Sequence, residues 1–173
     1  MNRVDCSESR HARAILDIFN DAIVNSTALY DYEPRTMSSM TAWFADKRAH
    51  AIPVIGYEDA QGTLLGFASY GAFRSRPANK YTVEHSIYVH PDHRGAGIGH
   101  RLLQDVIAAA RERDMHTLIG GIDADNEASI ALHLRQGFVH AGTVREAAFK
   151  FGRWLDLAFY QLILDTPLQP VDG

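Results

Sequence analysis

The chain is poor in several features that would assign a class at once. It has a single cysteine, Cys6, among 173 residues. No disulfide can close within it, which fits a reducing compartment, so a cytoplasmic location is expected. Nothing beside Cys6 would activate a thiolate, and it reads as a small hydrophobe near the first strand. No apolar run reaches the roughly 18–20 residues of a bilayer span. The opening MNRVDCSESRHARAI lacks the apolar stretch of a signal peptide, so no membrane partner is expected. Positive charge is not in excess: 17 Lys and Arg stand against 21 Asp and Glu, a net charge of −4. That removes the global attraction of a nucleic-acid binder and leaves only a local basic patch open. His90 and His93 lie three apart in a turn with no third ligand near, so no metal is expected. There is no G-x-S-x-G segment to suggest a serine hydrolase.

What remains is an ordinary globular balance, 46% hydrophobic and 22% charged. The length suits one domain with a core that needs no disulfide or metal. We expect a domain over residues 1–165 and a short tail over 166–173 that trails away with its two prolines. Apolar residues at helical spacing predict helices over 8–23, 36–48 and 98–113, the last with Ile98, Leu102, Leu103, Val106, Ile107 and Ala110 on one face. A fourth helix is expected over 126–136, closed by Gly137. Strands are predicted over 51–57 and 63–70 as a hairpin, then 81–89, 117–122, 138–144 and 155–164. Helices alternate with strands in the middle, and hairpins lie at both ends. A mixed α/β sheet in a single domain follows.

Residues 90–99, HPDHRGAGIG, sit between a predicted strand ending at Val89 and the strongest helix. Glycines there let the backbone approach a ligand and gather N–H groups into a concavity. The helix start adds partial positive charge, and the whole suits a diphosphate. The segment is no P-loop, because Gly-Lys-Ser/Thr is missing, and its glycines at 95, 97 and 99 are not spaced as G-x-G-x-x-G. Arg94, Gly97 and Gly99 do match R-x-x-G-x-G. In that strand-to-helix setting the chain resembles the GNAT superfamily of N-acetyltransferases. The resemblance implies the GNAT fold, acetyl-CoA as cosubstrate, and a cofactor contact from Val89, Arg94, Gly95, Ala96, Gly97, Ile98 and Gly99. It also implies one from Asn126, which independently suits a helix N-cap.

Within that superfamily, Thr82-Val83-Glu84-His85-Ser86-Ile87-Tyr88-Val89 and Lys150-Phe151-Gly152-Arg153-Trp154-Leu155-Asp156-Leu157 are similar to the phosphinothricin and methionine sulfone/sulfoximine acetyltransferases. So are the loop with Tyr30 and Glu33-Pro34 and the pair Trp43-Phe44. The resemblance implies transfer to the α-amino group of a small amino acid analogue, and a homodimer. An ammonium must lose a proton before it attacks a thioester, and a nearby carboxylate can take it. Glu84 precedes the turn on the same strand, and the resemblance makes it the general base. The resemblance also brings His133 to the site, for proton movement or acceptor binding; on its own it is equally a half-buried helix histidine. Tyr88 and Tyr160 are both candidates to protonate the leaving thiolate. An acceptor carboxylate suits arginine, which points to Arg74 and Arg76, with Tyr30 and Phe73 as walls. The loop over 75–80 departs from both named groups. Two other readings stay open: another amine acceptor (polyamine, aminoglycoside or protein N-terminus), or an acyl-CoA-binding module without turnover.

Overall fold

The computed structural model describes residues 1–172. Its elements run β1 (Asn2–Asp5), α1 (Glu8–Asn25), α2 (Met37–Ala49), β2 (Val54–Glu58), β3 (Leu64–Ala72), β4 (Thr82–Val89), α3 (Ile98–Glu112), β5 (Thr117–Asp123), α4 (Glu127–Arg135), β6 (Val139–Lys150) and β7 (Arg153–Ile163). The strands form one mixed sheet in the order β1-β2-β3-β4-β5-β7-β6. The β4–β5 pair is parallel, with Thr82, Val83 and Glu84 opposite Thr117, Leu118 and Ile119. Such a pair needs a crossover, and α3 supplies it. The pairs β1–β2, β2–β3, β5–β7 and β7–β6 are antiparallel.

Packing divides the chain into two compact units, Met1–Ser69 with Ser86–Asp105, and Tyr70–His85 with the chain from Val106 onward. In the first, α1 buries Ile15, Leu16, Ile18 and Phe19 on Val54, Leu64 and Phe67 of the strands and on Met40 and Phe44 of α2. The stripe at helical spacing in α1 is what brings these residues to one side. Helix α2 begins where Thr36 accepts a hydrogen bond from the Ser39 N–H. A buried carboxylate, Glu58, takes hydrogen bonds from Arg10 at 2.9 and 3.0 Å. It also accepts one from His11 Nε2 at 3.0 Å, since the Ser7 N–H occupies Nδ1. In the second unit Leu118, Ile122, Phe138, Leu155, Ala158 and Tyr160 form the buried centre.

Every expected element is present, with three departures. Strand β1 carries one aliphatic side chain, Val4, among polar ones, too little periodicity to read. Strand β6 runs on to Lys150, and β7 starts at Arg153, joined by a tight turn with Phe151 at φ 51° and Gly152 at φ 73°. Two successive left-handed residues are the hallmark of a two-residue hairpin. As an edge strand β6 is largely exposed and irregular, slipping register between Val144 and Ala148 with Glu146 at φ 51°. Its polar, unalternating sequence hid its second half. The tail is tethered: Tyr81 Oη hydrogen-bonds with Val171, and His116 Nδ1 with the Thr166 carbonyl. No helix among the described residues is long and apolar enough to cross a membrane.

Candidate active site

The glycine-rich turn lies in the first unit. Strand β4 ends at Val89, a single turn of 3-10 helix covers Pro91–His93, and α3 begins at Ile98. Gly95 and Gly97 hold φ of +80° and +78°, and a Cβ at either would meet no atom within 4 Å. Conformation therefore demands glycine at both, and open space lies beside them. The first N–H groups of α3 have no partner earlier in the helix and carry the positive end of its dipole. Gly99 is already helical, and Ile98 is buried. Arg94 braces the turn: Nε donates to the Val89 carbonyl at 3.3 Å, and Nη2 to Asp21 at 3.1 Å. These residues fit a diphosphate by backbone geometry more than by the arginine. In the second unit, Asn126 caps α4, its Oδ1 accepting from the Ser129 N–H at 3.1 Å.

Strand β4 carries Val83 and His85 buried, with Glu84 half-buried and Ser86 exposed. The period-two alternation of a strand puts the two pairs on opposite faces. Among the described residues no side chain pairs with Glu84, and burial raises its pKa above the usual carboxylate value. Its Oε1 lies 2.8 Å from where a Cβ on Gly121 would stand. Glycine at 121 is what leaves the carboxylate its place.

On the other face His85 and His133 meet, Nε2 to Nε2 at 2.9 Å. His133 Nδ1 lies 2.7 Å from the Ser129 carbonyl, which can only accept, so Nδ1 carries the proton. His133 Nε2 is therefore the acceptor, and His85 Nε2 donates to it. Phe138 packs on both rings, with centroids 5.3 and 5.1 Å away. Burial, then the neighbouring His133, pushes the His85 pKa down to about 3, and burial lowers that of His133. Both rings are neutral at neutral pH. A Cβ on Gly120 would stand 3.1 Å from both His133 Nε2 and His85 Cε1. Glu84 and His133 are thus not brought together: Gly121 faces one and Gly120 the other.

The acceptor candidates separate as well. Tyr30 lies partly exposed in the loop between α1 and α2. In the second unit Phe73 stands edge-on to Phe159, with ring centroids 6.1 Å apart, and the Arg74 guanidinium sits 5.7 Å from the Phe73 ring. Arg76 is exposed, just before the short turn Pro77–Asn79. Tyr88 packs on Phe19 and Phe67, whereas Tyr160 is buried beside the His140 ring. Sequence reasoning missed His85, Gly120 and Gly121, and a cavity of about 180 Å³ in the first unit that includes Arg35 and Lys47. One signal was available: Lys47 follows Trp43 by four, so both share a helix face.

The histidine pair makes stability depend on pH. Both native pKa values are lowered, so the unfolded chain binds more protons below its histidine pKa, and stability falls as pH drops from about 6.5. For His85 alone the loss between pH 7 and pH 5 is about 2 kcal/mol. Denaturant unfolding at the two pH values checks this, and His85→Gln should remove much of the difference.

Comparison with known proteins gives a consistent setting. The model of the acetyltransferase (GNAT) family matches residues 14–138. The chain is 44% identical over 151 residues to an L-methionine sulfoximine/L-methionine sulfone acetyltransferase of Pseudomonas aeruginosa, covering 87% of this chain and 88% of that one. It is 39% identical over 168 residues to an L-amino acid N-acyltransferase of Escherichia coli, covering 97% and 94%. Among solved structures, a GNAT superfamily phosphinothricin acetyltransferase from Sinorhizobium meliloti in complex with acetyl-CoA superposes with a TM-score of 0.94 at 32% identity, over 99% of this chain and 94% of that one.

Proposed function

The chain belongs to the acetyltransferase (GNAT) family and is an acetyl-CoA-dependent N-acetyltransferase; on that premise we propose that it acetylates the α-amino group of a small amino acid of the methionine sulfone, methionine sulfoximine or phosphinothricin kind, with Glu84 as general base. One observation carries the mechanism: a half-buried carboxylate of raised pKa, without a pairing side chain, stands on the strand that runs into the glycine-rich turn. The names of the relatives support the acceptor class.

Bound acetyl-CoA supplies an activated acetyl thioester. Backbone N–H groups of residues 95–99 hold its diphosphate, with Val89 and Asn126 as further contacts, and Arg94 keeps the turn in shape. Glu84 takes one proton from the acceptor's ammonium, and the freed amine forms the N–C bond as the C–S bond breaks. The transfer is direct, with no acyl group parked on the chain. Tyr88 and Tyr160 are the two candidates to return a proton to the thiolate, and Tyr88 is the less buried residue. Arg74 and Arg76 take the acceptor's carboxylate, and Tyr30 and Phe73 wall it. His133 is a positioning residue: through His85 it fixes the buried face of β4, and with it the strand that presents Glu84.

The same reading carries a cytoplasmic location and a homodimer. Val144, Phe149, Phe151 and Trp154 are all about half exposed on the β6–β7 hairpin, and Phe149 stacks edge-on with Trp154 at 5.1 Å. An apolar patch on an edge hairpin of this kind suits an interface between copies.

Two measurements test the reading. Thiol release with acetyl-CoA and L-methionine sulfone should fall about a hundredfold or more in Glu84→Gln. The wild-type kcat/KM should rise with pH along an acid limb set by the raised Glu84 pKa, and that limb should vanish in the variant. A raised carboxyl pKa means that the charged form is disfavoured in the fold, so the group's contribution to stability is lost as pH rises through that pKa. Glu84→Gln should therefore be as stable as wild type or more so at neutral pH. No loss of rate would remove the general-base role. For the dimer, sedimentation should give twice the chain mass, and Trp154→Asp should shift the equilibrium towards monomer.

A further inference from the structure

The segment between His90 and Ile98 is held at its ends and bare in the middle. Upstream, the His90 N–H donates to the Leu65 carbonyl of β3 at 2.9 Å. Downstream, Ile98 is buried, and the Arg101 N–H donates to the Gly97 carbonyl at 3.3 Å. Between them Arg94, Gly95, Ala96 and Gly97 are all exposed. No core packing fixes these residues, and glycines at positive φ can take many other conformations. A turn that presents its N–H groups in one arrangement needs a tether here.

Arg94 is that tether, and Asp21 is its anchor. The guanidinium spans from the Val89 carbonyl at the end of β4, 3.3 Å from Nε, to Asp21 Oδ2 on α1, 3.1 Å from Nη2. The carboxylate is fixed in turn, because Asn25 Nδ2 donates to its other oxygen at 2.8 Å. Its helix is fixed as well: the neighbouring Ile18, Phe19, Ala22 and Ile23 of α1 are buried. Three ordinary reasons for an aspartate fail at this position. The side chains of Asp21 and Arg94 are 24% and 55% exposed, and an ion pair that open to water adds little to stability. Asp21 lies near the C-terminal, negative end of α1, whose last turn holds no basic residue, so the helix dipole gains nothing from it. A negative charge bonded to a turn that takes a diphosphate also repels that ligand. The remaining role is geometric.

Resting on the placement of the diphosphate at this turn, we propose that Asp21 is a positioning residue for acetyl-CoA: through Arg94 it holds the glycine-rich turn in the shape that receives the diphosphate, and this outweighs the repulsion of its own charge.

The sign of the effect decides between geometry and charge. Calorimetric titration of the whole protein with CoA should give about fivefold to tenfold weaker binding in Asp21→Ala, the cost of ordering a few freed groups on binding. Charge alone predicts tighter binding. Asp21→Asn, which still offers Arg94 an accepting oxygen, should retain most of the affinity. Asp21→Ala combined with Arg94→Ala should bind CoA no more weakly than Arg94→Ala alone, since Asp21 acts through the arginine. In turnover the KM for acetyl-CoA should rise by the same factor as the dissociation constant, while kcat, the acceptor KM and the thermal midpoint stay close to wild type. A role in holding α1 together would instead lower the midpoint and weaken both substrates. Binding of CoA by Asp21→Ala as tight as wild type or tighter, or losses that multiply in the double variant, overturns the proposal. Gly97→Ala separates it from the placement on which it rests, because alanine is strained at φ +78°. If Gly97→Ala binds CoA as wild type does, the turn is not the diphosphate site and the role of Asp21 falls with it. If Gly97→Ala weakens CoA binding and Asp21→Ala does not, only the role of Asp21 falls.

Discussion

The chemistry of the second unit turns on how little room there is beside β5. Gly120 and Gly121 are adjacent, and neither needs glycine for its backbone angles. They need it for space. A methyl group at 120 would press on the ring atoms of His85 and His133, and a methyl at 121 would press on the Glu84 carboxylate. Because successive residues of a strand face opposite sides, one Gly-Gly step clears both faces at the same level of the sheet. On the buried side the clearance admits a neutral histidine pair whose hydrogen-bond direction is fixed by the Ser129 carbonyl. On the other it leaves an ionisable carboxylate half-buried, next to an exposed glycine and beside the Leu157 and Phe159 side chains.

On the proposed reading, this division separates proton chemistry from scaffolding. The histidines are hydrogen-bonded at the nitrogens that link them and held neutral by burial, which suits them to locking β4 and α4 in register. Glu84 is the opposite case: raised in pKa by desolvation and not bound by a cation, it is free to accept and release a proton. The first unit supplies a different resource, backbone N–H groups at the start of α3 and left-handed glycines that open a path to them. Neither task asks much of side-chain charge, which is consistent with a chain of mildly negative net charge that uses a polyanionic cosubstrate.

Much of this was legible in the sequence because it rests on local rules. The stripes of α1 and α3, the Asn126 cap, the Gly137 stop and the glycine-rich turn are each written within a few residues. Glu84 was legible as a carboxylate close to that turn. The histidine pair was not, because His85 and His133 are 48 residues apart and become partners only through β4, β5 and α4. The Gly120–Gly121 step was equally silent: two glycines in a strand read as a weakness or a bulge until the groups facing them are known. Strand β6 was cut short because an exposed edge strand has no reason to alternate. Arg35 and Lys47 look like solvent-facing charges in sequence, and only the ring cluster around them gives them another setting.

The central claim is that the room beside Glu84, and not its presence alone, sets the rate. Gly121→Ala places a methyl 2.8 Å from the present position of Oε1 and forces the flexible end of the side chain to move. Because only that end must shift, the thermal midpoint should stay close to that of wild type. The kcat/KM for acetyl transfer should fall between about ten- and a hundredfold, as misplacing a reacting group by about 1 Å does. A variant that folds as wild type and turns over at the wild-type rate would contradict the account.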